Sequence, residues 1–313
     1  MTFSIVARDP ETGDLGICVA SKFLAVGAVV PHARAGVGAV ATQSAANVTY
    51  GANGLAMLAE GTAAADAVKR LTDEDEGRDH RQLGIVDAQG RAATYTGAGC
   101  IDWAGGRTAE NVAAQGNILT GSDVVDALMD TFLAGGAPFP ELLLRALKAA
   151  DEHGGDRRGR ESAALLVVRE GAGYGGNNDR WIDLRVDDHP APVDELSRLL
   201  ELNHLYLDQP AVEDLLPIDQ PLAAEIQQRL ERAGYTPTTI SRGGGLAEVV
   251  ESLGLTRTGE PRELPSNWNV AWSNALMEWM SVENLESRAA AAGWIDPRVL
   301  TFLREKTGSG SVG

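Results

Sequence analysis

The chain has 313 residues and a formal net charge of −17, from 27 basic and 44 acidic side chains. That surplus weighs against nucleic acid and against anionic membrane surfaces as partners, because both are polyanions. The length can bury one large core and one small one; no apolar run is long enough to span a bilayer, and two cysteines make no disulfide framework.

In chain order, residues 3–8 read as a strand that starts almost at once, and 9–14 (DPETGD) as a turn with proline and glycine. A second strand over 15–22 is small and apolar, as a strand covered on both faces should be. Two more follow at 25–32 and 35–43. Helical patterns occupy 54–60 and 62–71, the latter with Thr62 as its cap. Strands are expected at 82–86 and 92–96 around the turn 87–90, and a short one at 111–116. Apolar residues at three-to-four spacing predict helices over 122–133 and 140–152. The last strands are 161–169 and 181–186. Strands, two helices, strands, two helices, strands is not a doubly wound repeat; it suggests sheet packed between helical layers.

Thr2 is the residue whose chemistry stands out. Initiator methionine is usually trimmed before a small side chain, and no signal peptide is read ahead of Thr2. A mature chain starting there would carry a hydroxyl and a free α-amine on one residue. With a reference pKa of roughly 7.7–8.0, the amine is substantially neutral near pH 7 and can take the hydroxyl proton. The alternative is that Thr2 simply opens a strand. Cys100 has no base nearby in sequence, and the five histidines (His32, His80, His153, His189, His204) show no metal-ligand spacing, so no metal or cofactor is expected. Gly243-Gly244-Gly245 lacks the Lys-Ser/Thr of a phosphate loop and reads as a turn.

Beyond residue 189 the character changes. Prolines 190, 192, 210, 217 and 221 interrupt a linker at 190–221, which carries one amphipathic helix over 193–207. Helices are expected at 222–233, 246–253, 268–280 and 296–305, forming a small domain over 222–306. Residues 307–313 read as a frayed tail. Trp268, Trp272, Trp279 and Trp294 fall in this part; at helical spacing they read as core before glycan platform.

Several blocks carry a family resemblance: 2–13 (TFSIVARDPETG), 33–43 (ARAGVGAVATQ), 96–100 (TGAGC), Gln115-Gly116-Asn117, 155–160 (GDRRGR) and 183–190 (DLRVDDHP). Residues 1–189 resemble the bacterial family catalogued as domain of unknown function 1028, and more broadly the N-terminal nucleophile (Ntn) hydrolases of proteasome type. Residues 225–235 (EIQQRLERAGY) and 282–288 (VENLESR) resemble a small peptidoglycan-binding-like domain.

The first resemblance implies an α+β fold, a four-layer αββα sandwich followed by the all-α domain, and hydrolysis of a C–N amide bond. Its site would be Thr2 as nucleophile, with Asp156 and Ser162 orienting the amine. Main-chain groups of Gln43 and Ser44 would receive the oxyanion, Asn117 would line the pocket, and Arg160 or Arg158 would bind a substrate carboxylate. The superfamily's third-strand lysine has no counterpart; Arg34, His32 or Lys22 would supply the cation, and Ser21 takes the acid position ahead of it. The implied substrate is a small amide, ureide or N-acyl compound. A cytoplasmic location and a homo-oligomer are expected, with neither nucleic acid nor membrane as partner. The competing reading is a non-catalytic binding protein directed to cell-wall glycan by its C-terminal domain.

Overall fold

The computed structural model describes residues 2–237 and 257–308. Met1, the glycine turn 243–245 and the helix expected at 246–253 lie outside the described residues. The chain divides into two compact units, Met1–Leu200 and Glu201–Gly313.

The first unit is α+β. One sheet holds β1 (Thr2–Arg8), β2 (Leu15–Ser21), β7 (Gly105–Ala109), β8 (Val112–Asn117), β9 (Ser162–Val168) and β10 (Arg180–Val186), in the order β10-β9-β2-β1-β8-β7. The other holds β3 (Pro31–Arg34), β4 (Gly38–Ser44), β5 (Arg81–Asp87) and β6 (Ala92–Thr96), in the order β3-β4-β5-β6. The paired strands of both sheets are antiparallel. The helices are α1 (Thr49–Ala59), α2 (Ala64–Asp73), α3 (Asp123–Ala134), α4 (Phe139–Glu152) and the start of α5 (Pro192–Leu207).

The period of two in β1 sorts its side chains between two surroundings. Phe3, Ile5 and Ala7 join Leu128, Leu143 and Leu147 of α3 and α4 in one apolar cluster. Val6 joins Ile17, Val19, Ala39, Ala41 and Val86, so that cluster draws on both sheets. A third cluster sets Val40, Leu83 and Ile85 of the second sheet against Leu58, Ala67 and Leu71 of α1 and α2. Each large apolar side chain so buried contributes about 1.5–3 kcal/mol. Thr2 and Ser4 share the face of Val6, which is how two hydroxyls come to lie between the sheets.

Several expected elements differ. The stretch 25–32 is mostly a turn, a 3₁₀ segment Val26–Ala28 behind Ala25 at φ 53°, and only then β3. Its amides are satisfied from elsewhere: Ala25 N–H donates to the Asp187 carbonyl (2.9 Å) and Val26 N–H to Ser162 Oγ (3.1 Å). The first helix starts at Thr49 rather than at 54, its first amide donating to Asn47 Oδ1 (3.2 Å). Thr62 does not cap α2; the Ala64 N–H donates instead to Asp87 Oδ2 (3.3 Å), at the end of β5. Strand β7 was not expected from its sequence, GGRTA.

The second unit contains the end of α5, α6 (Gln220–Arg232), α7 (Val270–Val282), α8 (Pro297–Lys306) and a two-stranded pair, β11 (Leu216–Pro217) with β12 (Trp294–Ile295). Asp219, Asn269 and Asp296 each accept an amide at the start of α6, α7 and α8. Ile226, Leu230, Leu276, Trp279, Leu300 and Leu303 fill the core. Asp296 does double duty: beside its cap, it takes Arg288 Nη1 at 2.5 Å, and the pair is almost fully buried.

Candidate active site

Register assembles a polar row across four strands of the larger sheet. Ser162 of β9 is opposite Ser21 of β2, and Thr2 of β1 is opposite Asn117 of β8. Between the two pairs, Thr2 Oγ1 lies 3.1 Å from Ser21 Oγ. Thr2 is only 6% exposed.

Behind this row lies a fully buried amide network drawn from both sheets. Gln82 Nε2 donates to the main-chain oxygens of Gly116 (2.7 Å) and Gly105 (3.2 Å). Its Oε1 accepts from Gln43 Nε2 and Asn117 Nδ2, both at 2.9 Å. Gln43 Nε2 also reaches the Thr2 carbonyl (3.3 Å), while its Oε1 accepts the Ser4 hydroxyl (2.7 Å). Gln115 Nε2 donates to Ser4 Oγ (2.7 Å). Glycine at residue 84 makes room for it: a Cβ there would come within 2.0 Å of Gln115 Oε1 and push that amide aside.

The expected site residues divide accordingly. Thr2, Gln43 and Asn117 come together, although Gln43 contributes its side chain to the network. Ser44 ends β4 at φ 71°, and its hydroxyl accepts from Cys100 Sγ at 3.5 Å. Ser162 stands beside Ser21, not Thr2, and its hydroxyl serves the 22–28 turn. Asp156 staples two loops: Oδ2 accepts the Lys22 N–H (2.7 Å) and Oδ1 the Arg158 N–H (2.8 Å). Arg160 is held by both oxygens of Asp151 (2.8 Å each).

The cation candidates are spread out. Arg34 pairs with Gly38 at the far end of β4, roughly 20 Å from Ser44 at about 3.3 Å per residue. His32 lies against Gly51 of α1, and burial pushes its pKa down, so it favours the neutral form. Lys22 directly follows Ser21, with Nζ 3.2 Å from Glu161. Among the described residues, no group of three or more histidines, cysteines or acids is placed to hold a metal ion.

Ser4, Gln82 and Gln115 were not anticipated. For Ser4 and Gln115 the signal was a polar residue at a two-residue spacing inside an apolar strand, as in Thr2-Phe3-Ser4-Ile5; Gln82 has no such partner in β5.

A second cluster braces the turn after Ser44. Asp75 accepts Arg81 Nε (2.9 Å), the Tyr50 hydroxyl (2.8 Å) and the Gly77 N–H (2.7 Å), while Arg81 Nη1 reaches the Ala45 carbonyl (2.6 Å). The Arg81 guanidinium holds the Asp75 carboxyl well below the usual carboxylate range. A depressed folded-state pKa adds stability that is complete above the unfolded value of about 3.9 and is lost as pH falls below it. Asp75→Asn is therefore expected to lower the melting temperature by a constant amount above about pH 5, with the gap closing below about pH 4. Thermal melts of both proteins across pH 2–7 check this; a gap that widens on acidification would contradict it.

In the second unit Trp268 and Trp279 are buried, as expected for core residues, whereas Trp272 and Trp294 are half-buried. Trp268 and Trp272 stack with centroids 6.4 Å apart. Among the described residues, no helix is long and apolar enough to cross a membrane.

Comparison with known proteins matches two parts of the chain. The family model "Family of unknown function (DUF1028)" matches residues 2–196, and "Putative peptidoglycan binding domain" matches 234–303. No curated protein matches the chain. The crystal structure of protein SPO2555 from Silicibacter pomeroyi, assigned to the same family model, is similar at 36% identity and a TM-score of 0.60, over 65% of this chain and 86% of that one. With the family match covering well over half its length, the chain belongs to the family of unknown function DUF1028.

Proposed function

We propose that the first unit is an Ntn-type amidohydrolase built as a four-layer αββα sandwich, with Thr2 as nucleophile. The observation that carries the reading is the Thr2 hydroxyl, nearly buried at the start of a central strand and 3.1 Å from Ser21 Oγ. The three apolar clusters, which put α3 and α4 with one sheet and α1 and α2 with the other, support the layered arrangement.

In this mechanism Met1 is removed and the α-amine of Thr2 takes the proton of Oγ1. Oγ1 attacks the substrate carbonyl, and the tetrahedral oxyanion is received at the left-handed turn of Ser44. The amine's proton passes to the leaving nitrogen as the C–N bond breaks. Water then attacks the acyl ester and frees the acid. Ser21 orients Oγ1, and Asp156 fixes the loops on either side through Lys22 and Arg158. The substrate is a small amide, ureide or N-acyl compound. Arg158, 45% exposed and itself 3.4 Å from Asp156 Oδ2, is the arginine offered to a substrate carboxylate.

Intact mass should fall short of the full sequence by one methionine, and a panel of small amides should yield one that releases ammonia or amine. An active protein that retains Met1 would exclude the mechanism, because an amide nitrogen cannot serve as the base.

A second reading concerns the other unit, where the peptidoglycan-binding match and the half-buried Trp272 favour glycan binding. Retention on purified peptidoglycan, weakened several-fold by Trp272→Ala, is expected from aromatic–sugar stacking. Equal retention of both proteins, or none, removes Trp272 from any such role.

A further inference from the structure

The amide network has a fixed direction. The oxygens of Gly105 and Gly116 can only accept, so the end of Gln82 that faces them must be its NH₂ group. Its other end is therefore the carbonyl Oε1, and Asn117 must turn its own NH₂ toward it. The same NH₂ group lies 3.5 Å from the Thr2 carbonyl, so Asn117 Oδ1 is the end left over, with no choice of flip. That oxygen is buried and accepts no hydrogen bond. Asn117 as a residue is 1% exposed. A bare, buried acceptor in an otherwise satisfied network points to a donor that is supplied in the working state.

Asn117 is the cross-strand partner of Thr2. On its other side Thr2 is engaged through Oγ1 by Ser21. Excision of Met1 turns the single amide N–H of Thr2 into an amine with several N–H groups, on the residue directly across the strand pair from the unfilled acceptor. We propose that Asn117 Oδ1 is the receptor for the α-amine of the processed chain and acts as a positioning residue. By accepting one N–H it fixes the rotation of the amine, so that the lone pair faces Oγ1. The inference rests on the reading of Thr2 as the first residue of the mature protein.

An acceptor stabilises the ammonium form more than the neutral amine, so it raises the amine's pKa. Removing it should lower that pKa. In protein labelled with ¹³C-threonine, the Thr2 resonances followed against pH report the amine titration, and Thr2→Ser assigns them. The midpoint in Asn117→Ala is expected about one unit below that of the parent, a tenfold change in the protonation equilibrium. A crystal structure of the processed parent chain, which needs no variant to fold, should place the amine nitrogen about 3 Å from Asn117 Oδ1. An unmoved midpoint in folded, Met1-free Asn117→Ala, or an amine beyond hydrogen-bond reach of Oδ1, overturns the inference while leaving Thr2 as nucleophile. Retention of Met1 overturns both together.

Discussion

Thr2→Ala is expected to fold like the parent and to lose amide hydrolysis by about 10⁶-fold, the scale seen when an essential nucleophile is removed from other hydrolases. Thr2→Ser should keep a measurable fraction of activity, because it retains both hydroxyl and amine. Alanine removes one hydrogen bond, to Ser21, and a methyl group from a nearly buried position. The loss in stability should stay near 1 kcal/mol, too little to unfold a unit of this size. Turnover in the three proteins, set beside their melting curves, separates chemistry from folding. Comparable turnover in parent and Thr2→Ala would remove Thr2 from the chemistry.

Arg288→Met should destabilise the second unit by about 3–5 kcal/mol, the usual cost of stranding one member of a buried ion pair. Asp296 has a side chain only 2% exposed, and it would be left buried without its counterion. The same substitution strips the donors from the main-chain oxygens of His204 and Leu205, which Arg288 also holds. Adding Asp296→Asn to Arg288→Met should recover part of the loss, because asparagine removes the stranded charge and can still cap α8. Urea unfolding followed by tryptophan fluorescence measures both. If the single variant were as stable as the parent, the pair would contribute no net stability to this unit.

Legibility in the sequence followed how local the cause was. The small apolar run of β2 and the proline-glycine turn before it could be read directly, and so could the later helices of three-to-four spacing. Residues 25–28 are apolar and read as strand, yet two distant groups, Asp187 and Ser162, hold them as a turn. Strand β7 has little intrinsic strand preference and is recruited by its pairing with β8. The site behaved likewise. Thr2, Gln43 and Asn117 could be picked out singly. That Gln82 would tie the last two together depended on the register of β5 against β4 and of β8 against β1, which no local pattern encodes. Arg34 was near Gln43 in sequence but belongs to the wrong end of its strand, and Arg160 was already claimed by Asp151.

The amides between the sheets also bear on how the chain finds its pairing. A slip of one residue between β8 and β1 would exchange Gln115 and Asn117 for Ala114 and Gly116 on the inner face. Two amide side chains would then be driven among Leu128, Leu143 and their neighbours, and Gln43 and Gln82 would lose partners at the same time. An all-apolar interface would tolerate such a slip far better, since one small aliphatic side chain replaces another at little cost. The polar seam thus works as a proofreading device, admitting one alignment of the central strands and penalising its nearest neighbours.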